Sequence, residues 1–431
     1  MPQSTTNFDS VLKEFYLDKI PELVNQKINL KEHFKKRSGG EMSVDGRRVV
    51  YPVHLGRNTG VGAVGEGANL PTAGNQQYQS MIVPFRFNYG RIQITAQAMK
   101  QSMTIKGAFR KAVDEEITRA AKDVGREVNR QLWGFGKGIL CYVNGAVSNS
   151  ITVAVDNPGG VVGSVNGNRF LRVGDIVGFI TASSGALAAV GTVASVNSNG
   201  NSITLDAAIT LADVDTYVVR CSTTGSTVVN DTAYDKEVMG LLGMIDDGTY
   251  VSTYFNILRS SYPTLKSYRH AVGGLLTLSH IQKAYDAADQ LGNGSIKTMW
   301  AHHSVRREYL KLLQTFRRYN DSGAKSPDGG FKGAGIESDI EYAEKPLKVD
   351  RDAPYGIIFG VDDTAMFRYA LTEGEWADDD GKILLRISGQ DAYEARFRVF
   401  DNYVCDAPNQ SFVMSGITLD NSDTVEVIPS I

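Results

Sequence analysis

Few stretches of this chain combine residue types and spacing that could do chemistry. Gly60-Val61-Gly62-Ala63-Val64-Gly65 matches the G-x-G-x-x-G pattern of a dinucleotide-binding turn. That turn needs a strand before it and a helix opening at its third glycine, so that backbone N–H groups meet a pyrophosphate. Here Gly67 and Pro71 follow and no helical period begins, so the stretch reads as a loop tip. His302-His303 is the only adjacent histidine pair, with no Cys, Asp or Glu at metal-ligand spacing beside it. A strand-end or loop pair is the reading, not zinc. Asp378-Asp379-Asp380-Gly381 lies between strand-like runs and reads as a hairpin turn. Its spacing is not that of a calcium loop, and a cation there is left open. No G-x-S-x-G and no H-E-x-x-H occurs, and nothing ties the serines, histidines and acids into a triad. The sequence supports neither catalysis nor a bound metal or cofactor.

The elements around these stretches say more. From Thr104 to Trp133, apolar residues recur at Ile105, Phe109, Val113, Ile117, Ala120/Ala121, Val124, Val128 and Leu132. Steps of three and four place them on one helical face. At 1.5 Å per residue this helix is roughly 45 Å long. With one narrow apolar stripe it reads as a strut, stopped by Gly134, Gly136 and Gly138. Before it, Val49, Tyr51, Val53, Leu55 and Met81, Val83, Phe85, Phe87, Tyr89 alternate with period two. Pro52 and Pro84 keep both runs out of a sheet centre, so the pair reads as a two-stranded ribbon. Its connection, Gly56 to Gln77, is rich in glycine and longer than the about 12–15 residues of an ordinary loop. A lone ribbon is marginal in water, which makes a neighbouring copy the expected support.

Residues 1–40 read as an arm, with a basic run at Lys27, Lys31, Lys35, Lys36 and Arg37 that lies in solvent, on a neighbouring subunit or on nucleic acid. From about Gly138 to Asn230 charge thins out, and short alternating runs appear at 151–155, 175–180, 190–196, 202–205 and 216–220. Turn signals, Asn199-Gly200 among them, separate these runs. They argue a small β-barrel or sandwich inserted into a larger unit. Beyond Ala233 the pattern is mixed. Helices are expected over YDKEVMGLLGMI, over LSHIQKAYDAADQL up to Gly292-Asn293-Gly294, and from an N-cap at Ser304. A loop spans Asn320 to Gly335, and strands are expected at IKTMW, GIIFGV, AMFRYAL, KILLRIS, EARFRVFDNYVC and SFVMSGI.

The 431 residues are 42% hydrophobic and 22% charged, as in ordinary soluble domains. With 45 basic against 48 acidic residues the net charge is −3, which does not suit a tight nucleic-acid binder. Cys141, Cys221 and Cys405 form no disulfide framework and fit a reducing cytosol. No apolar run spans a membrane, and the first residues do not read as a signal peptide.

This order of elements resembles the Hong Kong 97-type major capsid proteins of tailed bacteriophages. RRVVYPVHLGRNTGVGAVGEGANLPTAGNQQYQSMIVPFRFNYGRIQIT resembles the family's extended loop, and the strut after it resembles its spine helix. IKTMWAHHSVRREYLKLL resembles an axial strand and helix. GVDDTAMFRYAL and EARFRVFDNYVCDAPNQSFVMSGI, with Arg396, Asp401, Pro408 and Phe412, resemble the closing strands. The resemblance covers about 45–135 and 233–419.

It implies an α+β capsid fold carrying an inserted all-β domain. The expected parts are an N-terminal arm (1–44), an extended loop (45–99), a spine helix (100–138), the β insert (139–230), an axial α/β domain with returning strands (231–395) and closing strands with a tail (396–431). It implies hexamers and pentamers in an icosahedral virion shell around double-stranded DNA held without sequence preference, made in a bacterial cytoplasm with no membrane. Separate scaffold, portal and decoration proteins are the expected partners. No lysine lies between Lys36 and Lys100, so a loop isopeptide crosslink is not expected. Inter-subunit contacts fall on Arg57, Asn58, Glu66, Asn69, Gln76 and Gln77 at the loop tip and on Arg86 and Arg91 along the ribbon. The alternatives are a nanocompartment shell around an enzyme cargo, or an enzyme or sugar-binding protein using the β insert.

Overall fold

The computed structural model describes residues 30–37, 47–97, 106–164, 166–197, 201–212, 216–316, 341–378 and 383–419. The expected arm over 1–29 and 38–44, the loop from Asn320 to Gly335 and the turn at Asp379–Gly381 lie outside them.

Strand β1 (Lys35–Lys36) is followed by β2 (Arg48–Gly56), β3 (Gln77–Pro84), β4 (Arg86–Thr95) and the long helix α1 (Lys106–Leu132). Next come β5 (Ile139–Val143), β6 (Val147–Asp156), β7 (Ile176–Ile180), β8 (Leu187–Val196), β9 (Ser202–Leu211) and β10 (Tyr217–Arg220). A short helix α2 (Leu241–Met244) and the hairpin β11 (Thr253–Tyr254) and β12 (Ile257–Leu258) lead to β13 (Tyr268–Gly274). The chain continues through α3 (Leu278–Gly292), β14 (Thr298–Ala301), α4 (His303–Phe316), β15 (Glu341–Tyr342), β16 (Lys345–Val349) and β17 (Ile358–Val361). It ends in β18 (Met366–Trp376), β19 (Leu385–Arg386), β20 (Ala392–Cys405) and β21 (Phe412–Ile417).

These strands make a closed barrel in the order β10-β5-β6-β9-β8-β7, two larger sheets and two small ones. The barrel encloses its own core, with Val153, Val177, Phe179, Ile203 and Val218 inside it. One larger sheet centres on β20, with β4 on one edge and β18 and β19 on the other. The other runs β13-β21-β17-β14-β16-β15. Its alternating side chains serve two cores. Met299, Ala301, Ile358 and Met414 face α3 and α4, while Trp300, Phe359 and Val413 face the centre of the molecule.

The strut is about 40 Å long by its 27 residues. Its stripe is clear at Val124, Val128 and Leu132, but from Val128 to Trp133 every residue is buried, polar ones included. The helix therefore runs into the body instead of lying across it. Gly90 of β4 faces this helix, where a Cβ would stand 2.6 Å from Val124. Only glycine lets strand and helix approach that closely. At the buried end, Arg130 bonds Glu127 at 2.6 Å and also pairs with Glu237, while Arg220 of β10 reaches Glu127 at 3.3 Å and Asp175 at 3.0 Å. Burial would raise the Glu127 carboxyl, but Arg130 and Arg220 outweigh it and hold the pKa at about 2. Asn129 donates to Asp352 at 2.9 Å and to Asp350 at 3.3 Å. Burial, aided by the neighbouring Asp352 charge, pushes Asp350 up to about 6.

Several local expectations shift. The helix expected from Tyr234 forms only over Leu241–Met244, because Glu237 is drawn to Arg130 and the Val238 N–H to Gln131 Oε1. KILLRIS yields only the two-residue β19, and β5, β13 and β16 had not been expected. α4 begins at His303, and its first turn is capped by His302, whose Nδ1 accepts the Ser304 N–H at 3.2 Å. His302 is a buried core residue, its ring 4.5 Å from that of Tyr355. Burial, then the Arg169 charge, lowers its pKa to about 2 and keeps it neutral.

Two stability predictions follow from this hub. Arg130→Ala leaves the buried Glu237 carboxylate without its ion-pair partner, close to Glu127, and is expected to cost about 3–5 kcal/mol by chemical denaturation. A loss below about 1 kcal/mol would show that the network does not hold the helix end. The folded-state pKa of Asp350 lies above its unfolded value, so the stability this group contributes is full below about pH 4 and is lost as pH rises through about 6. Asp350→Asn should match wild type near pH 4 and exceed it by up to about 3 kcal/mol at pH 8. Parallel pH profiles would refute that.

Candidate assembly surface

The ribbon is rooted in its own subunit. Tyr51 and Leu55 of β2 and Met81 and Val83 of β3 point into the central core, as their alternation requires. The Tyr51 hydroxyl donates to Asp406 Oδ1 at 2.7 Å, and Arg37 holds the other oxygen of Asp406 at 2.9 Å. Burial first, and then the Asp406 charge, raises the Tyr51 pKa, so the phenol keeps its proton. Thr264 donates to the Leu55 carbonyl at 3.2 Å, and Phe255 accepts the Ile82 N–H at 3.1 Å. A neighbouring copy is thus not needed to hold the ribbon's root. The described end of the basic arm also docks on its own body: Leu30 and Phe34 are buried, β1 pairs with β18, and Arg37 lies 4.0 Å over the Phe367 ring.

The second expected ribbon strand is in fact two strands. At Phe85 the alternation slips by one residue and β4 leaves the ribbon to pair with β20, Arg91 facing Arg396. Asn402 pins the break by donating to the Pro84 carbonyl at 2.7 Å. Phe87 and Tyr89, expected inward, are therefore 55% and 61% exposed, stacked edge-on against Phe400. Arg86 and Arg91 likewise do not line the ribbon. Arg86 donates to the Asp235 carbonyl at 2.6 Å, and burial lowers its pKa. Arg91 grips Glu394 with two nitrogens at 2.7 and 2.8 Å.

Beyond the ribbon the chain forms no strand or helix from Arg57 to Gln76. Its neck is closed by the backbone itself. A Cβ on Gly60 would stand 2.8 Å from the Gly74 nitrogen, so the two passes touch only because both residues are glycine. Asn58 Oδ1 accepts the Gly60 N–H at 2.7 Å, and Gln76 Oε1 meets His54 Nε2 at 2.7 Å. Past the neck every residue from Val61 to Leu70 is exposed. Val61 and Leu70 show 81% and 83% of their surface to solvent, an arrangement that soluble monomers avoid when such residues gather on one segment. Among the described residues, Arg57, Glu66, Asn69 and Gln77 make no side-chain hydrogen bond or ion pair. The structure thus gathers six of the eight expected residues on one projection and removes Arg86 and Arg91 to the body. The Arg37–Asp406–Tyr51 knot at its root joins residues hundreds of positions apart, and no local sequence signal marks it.

No protein-family model matches this sequence, and no curated protein matches it. Solved structures do match in fold. The cyanophage A-1(L) capsid asymmetric unit aligns with a TM-score of 0.60 at 11% identity, covering 96% of this chain and 100% of that one. The capsid of an empty GTA particle aligns at 0.49 and 8% identity, covering 95% and 96%. Mycobacterium phage Adephagia aligns at 0.47 and 11%, covering 97% and 99%. On the first of these, the chain has a mixed α+β fold shared with a phage capsid protein over 96% of its length.

Because every residue from Val61 to Leu70 is exposed, replacing 58–75 by a short turn should leave monomer stability within about 0.5 kcal/mol of wild type. A denaturant midpoint displaced by several times that amount would show that the projection packs on its own subunit.

Proposed function

We propose that this chain is the major capsid protein of a tailed phage, with a Hong Kong 97-type fold, self-assembling as hexamers and pentamers into the icosahedral head around double-stranded DNA. One observation carries the reading: a fold shared over 96% of the chain with a phage capsid protein presents a projection whose Val61 and Leu70 stand 81% and 83% exposed, short of a packing partner. A ring of copies supplies that partner. Each projection lies on the next copy, a heterologous contact that closes by rotation. Arg57, Asn58, Glu66, Asn69, Gln76 and Gln77 are the polar groups placed to orient it.

Several parts of the reading go together. The barrel over 139–220 is an insert in the parent fold, and the arm, extended loop, spine and axial parts divide the rest. The product is a virion shell made in a bacterial cytoplasm, and it works with a separate scaffold, a portal and decoration proteins. The role is structural and not enzymatic, as the fold shared with a phage capsid protein supports. A net charge of −3 suits a wall that must not grip packed DNA, since each phosphate contact adds affinity that has to be broken on release.

Electron microscopy with light scattering of the expressed chain, alone and with its scaffold, tests this. Closed shells or rings of five and six are expected, and the 58–75 replacement should give folded monomers that form neither. A discrete monomer or dimer under all conditions would overturn the proposal. Normal shells from the replacement would overturn the role of the loop alone.

A further inference from the structure

Strand β13 lies at the edge of the mixed sheet, paired with β21, and α3 packs against it. His270 of β13 is buried, and its Nε2 meets Nδ1 of His280, in the first turn of α3, at 2.8 Å. The ring centres are 5.0 Å apart, little more than that contact plus the two ring radii, so the nitrogens meet head-on. A contact this short is a hydrogen bond, with a hydrogen on one nitrogen and a lone pair on the other. A metal ion sits about 2.0–2.1 Å from each imidazole nitrogen it binds and does not fit on that line.

The bond closes an excursion of ten positions. That stretch passes Gly273, with φ +61°, and Gly274, where the register of β13 on β21 shifts, and then Leu275, which is 68% exposed. Beyond His280 the helix is held by other means: Ile281, Ala284 and Ala288 are buried in the core over the sheet, and Asn293 caps the far end. The charged and titratable groups that face His270 are His280 and Lys283 of α3 and Tyr268 of its own strand, whose ring lies nearly parallel at 6.1 Å. β21 places Met414 opposite it and has no titratable side chain. Among the described residues no carboxylate stands within ion-pair distance of either ring.

We propose that the His270–His280 pair is an acid-operated latch, which holds the first turn of α3 and the loop before it on β13 and releases them when both rings are protonated. The neutral pair keeps its N–H···N bond, and a pair with one added proton keeps a charge-assisted one. A second proton turns both nitrogens into donors and sets two like charges face to face, with Lys283 adding a third and no acid to offset them. Burial first, and then the His280 and Lys283 charges, lowers the His270 pKa from its ordinary value. The stability this group contributes is therefore present above about pH 6.5 and is lost as pH falls through the folded-state value. Because the rest of α3 is anchored by its apolar face, the opening is local. The inference does not depend on shell formation.

Hydrogen exchange read by mass spectrometry on the full chain, at about pH 7.5 and about pH 5 and corrected for the intrinsic exchange rate, tests this. Protection over 271–281 should fall about tenfold on acidification, the effect of one hydrogen bond, while 284–292 and β21 keep theirs. In His280→Asn the amide stands near the place of Nδ1 and takes up no proton, so protection over 271–281 should change less than about threefold between the two pH values. Should that variant fail to fold, the contrast within the wild type between 271–281 and 284–292 decides the matter. Unchanged protection over 271–281 in the wild type, an equal loss over 284–292, or a full acid response in folded His280→Asn would overturn the proposal.

Discussion

The buried end of the long helix is the constraint on which the other parts depend. Within its last two turns Arg130 and Glu127 tie it to the barrel through Arg220 and to the following segment through Glu237. Asn129 ties it to the loop after β16, Gln131 donates to Asn88 of β4, and Trp133 packs on Trp300 and Phe359 of the mixed sheet. Charges removed from water this completely cost several kcal/mol each unless their partners are in place. The network is therefore an all-or-none register: β4, the barrel and the mixed sheet each supply one partner, and none can shift without leaving a buried charge or amide unmet. Specificity of arrangement, more than net stability, is what such a network contributes here.

From that anchored end the molecule opens outward. The loop past Gly60 and Gly74 is exposed at every residue from Val61 to Leu70. The ribbon is not a free hairpin, however. Tyr51, Leu55, Met81 and Val83 sink its root into the central core, and the Arg37–Asp406–Tyr51 knot fixes its angle. A loop without strand or helix is thus presented from a base fixed by buried side chains and hydrogen bonds.

How much of this could be read from the residues depended on whether the signal was local. The strut, the period-two ribbon root and the barrel hairpins announced themselves because three- or two-residue spacing is set by the element itself. The slip at Phe85 did not, since Phe87 and Tyr89 continue the apolar alternation and nothing local says that β20 will claim the strand and reverse its faces. β5, whose five residues ILCYV alternate with nothing, lacks the pattern of a half-exposed strand because its neighbours cover both faces, and β13 lacks it because histidine and glycine interrupt a strand at the sheet edge. Ser304 looked like a cap, yet His302 took the role because burial had already made its ring a neutral acceptor. Arg37, Tyr51 and Asp406 are brought together only by the tertiary fold, and Arg86 and Arg91 looked free only because Asp235 and Glu394 lie far along the chain.

The chemistry of the projection also bears on what kind of contact it can make. From Arg57 to Gln77 it carries a single arginine and a single glutamate, while Val61 and Leu70 stand almost fully in solvent. Contacts built mainly from apolar area are insensitive to ionic strength, whereas surface ion pairs weaken as salt screens them over about 10 Å. The barrel is held to the body by both kinds of force. Arg220 of β10 pairs with Glu127 of the helix, while Ile139 and Val161 belong to the central core and Tyr142 and Tyr217 pack against it. A rise in salt would therefore weaken the half-buried ion pair and leave the apolar part of the attachment in place.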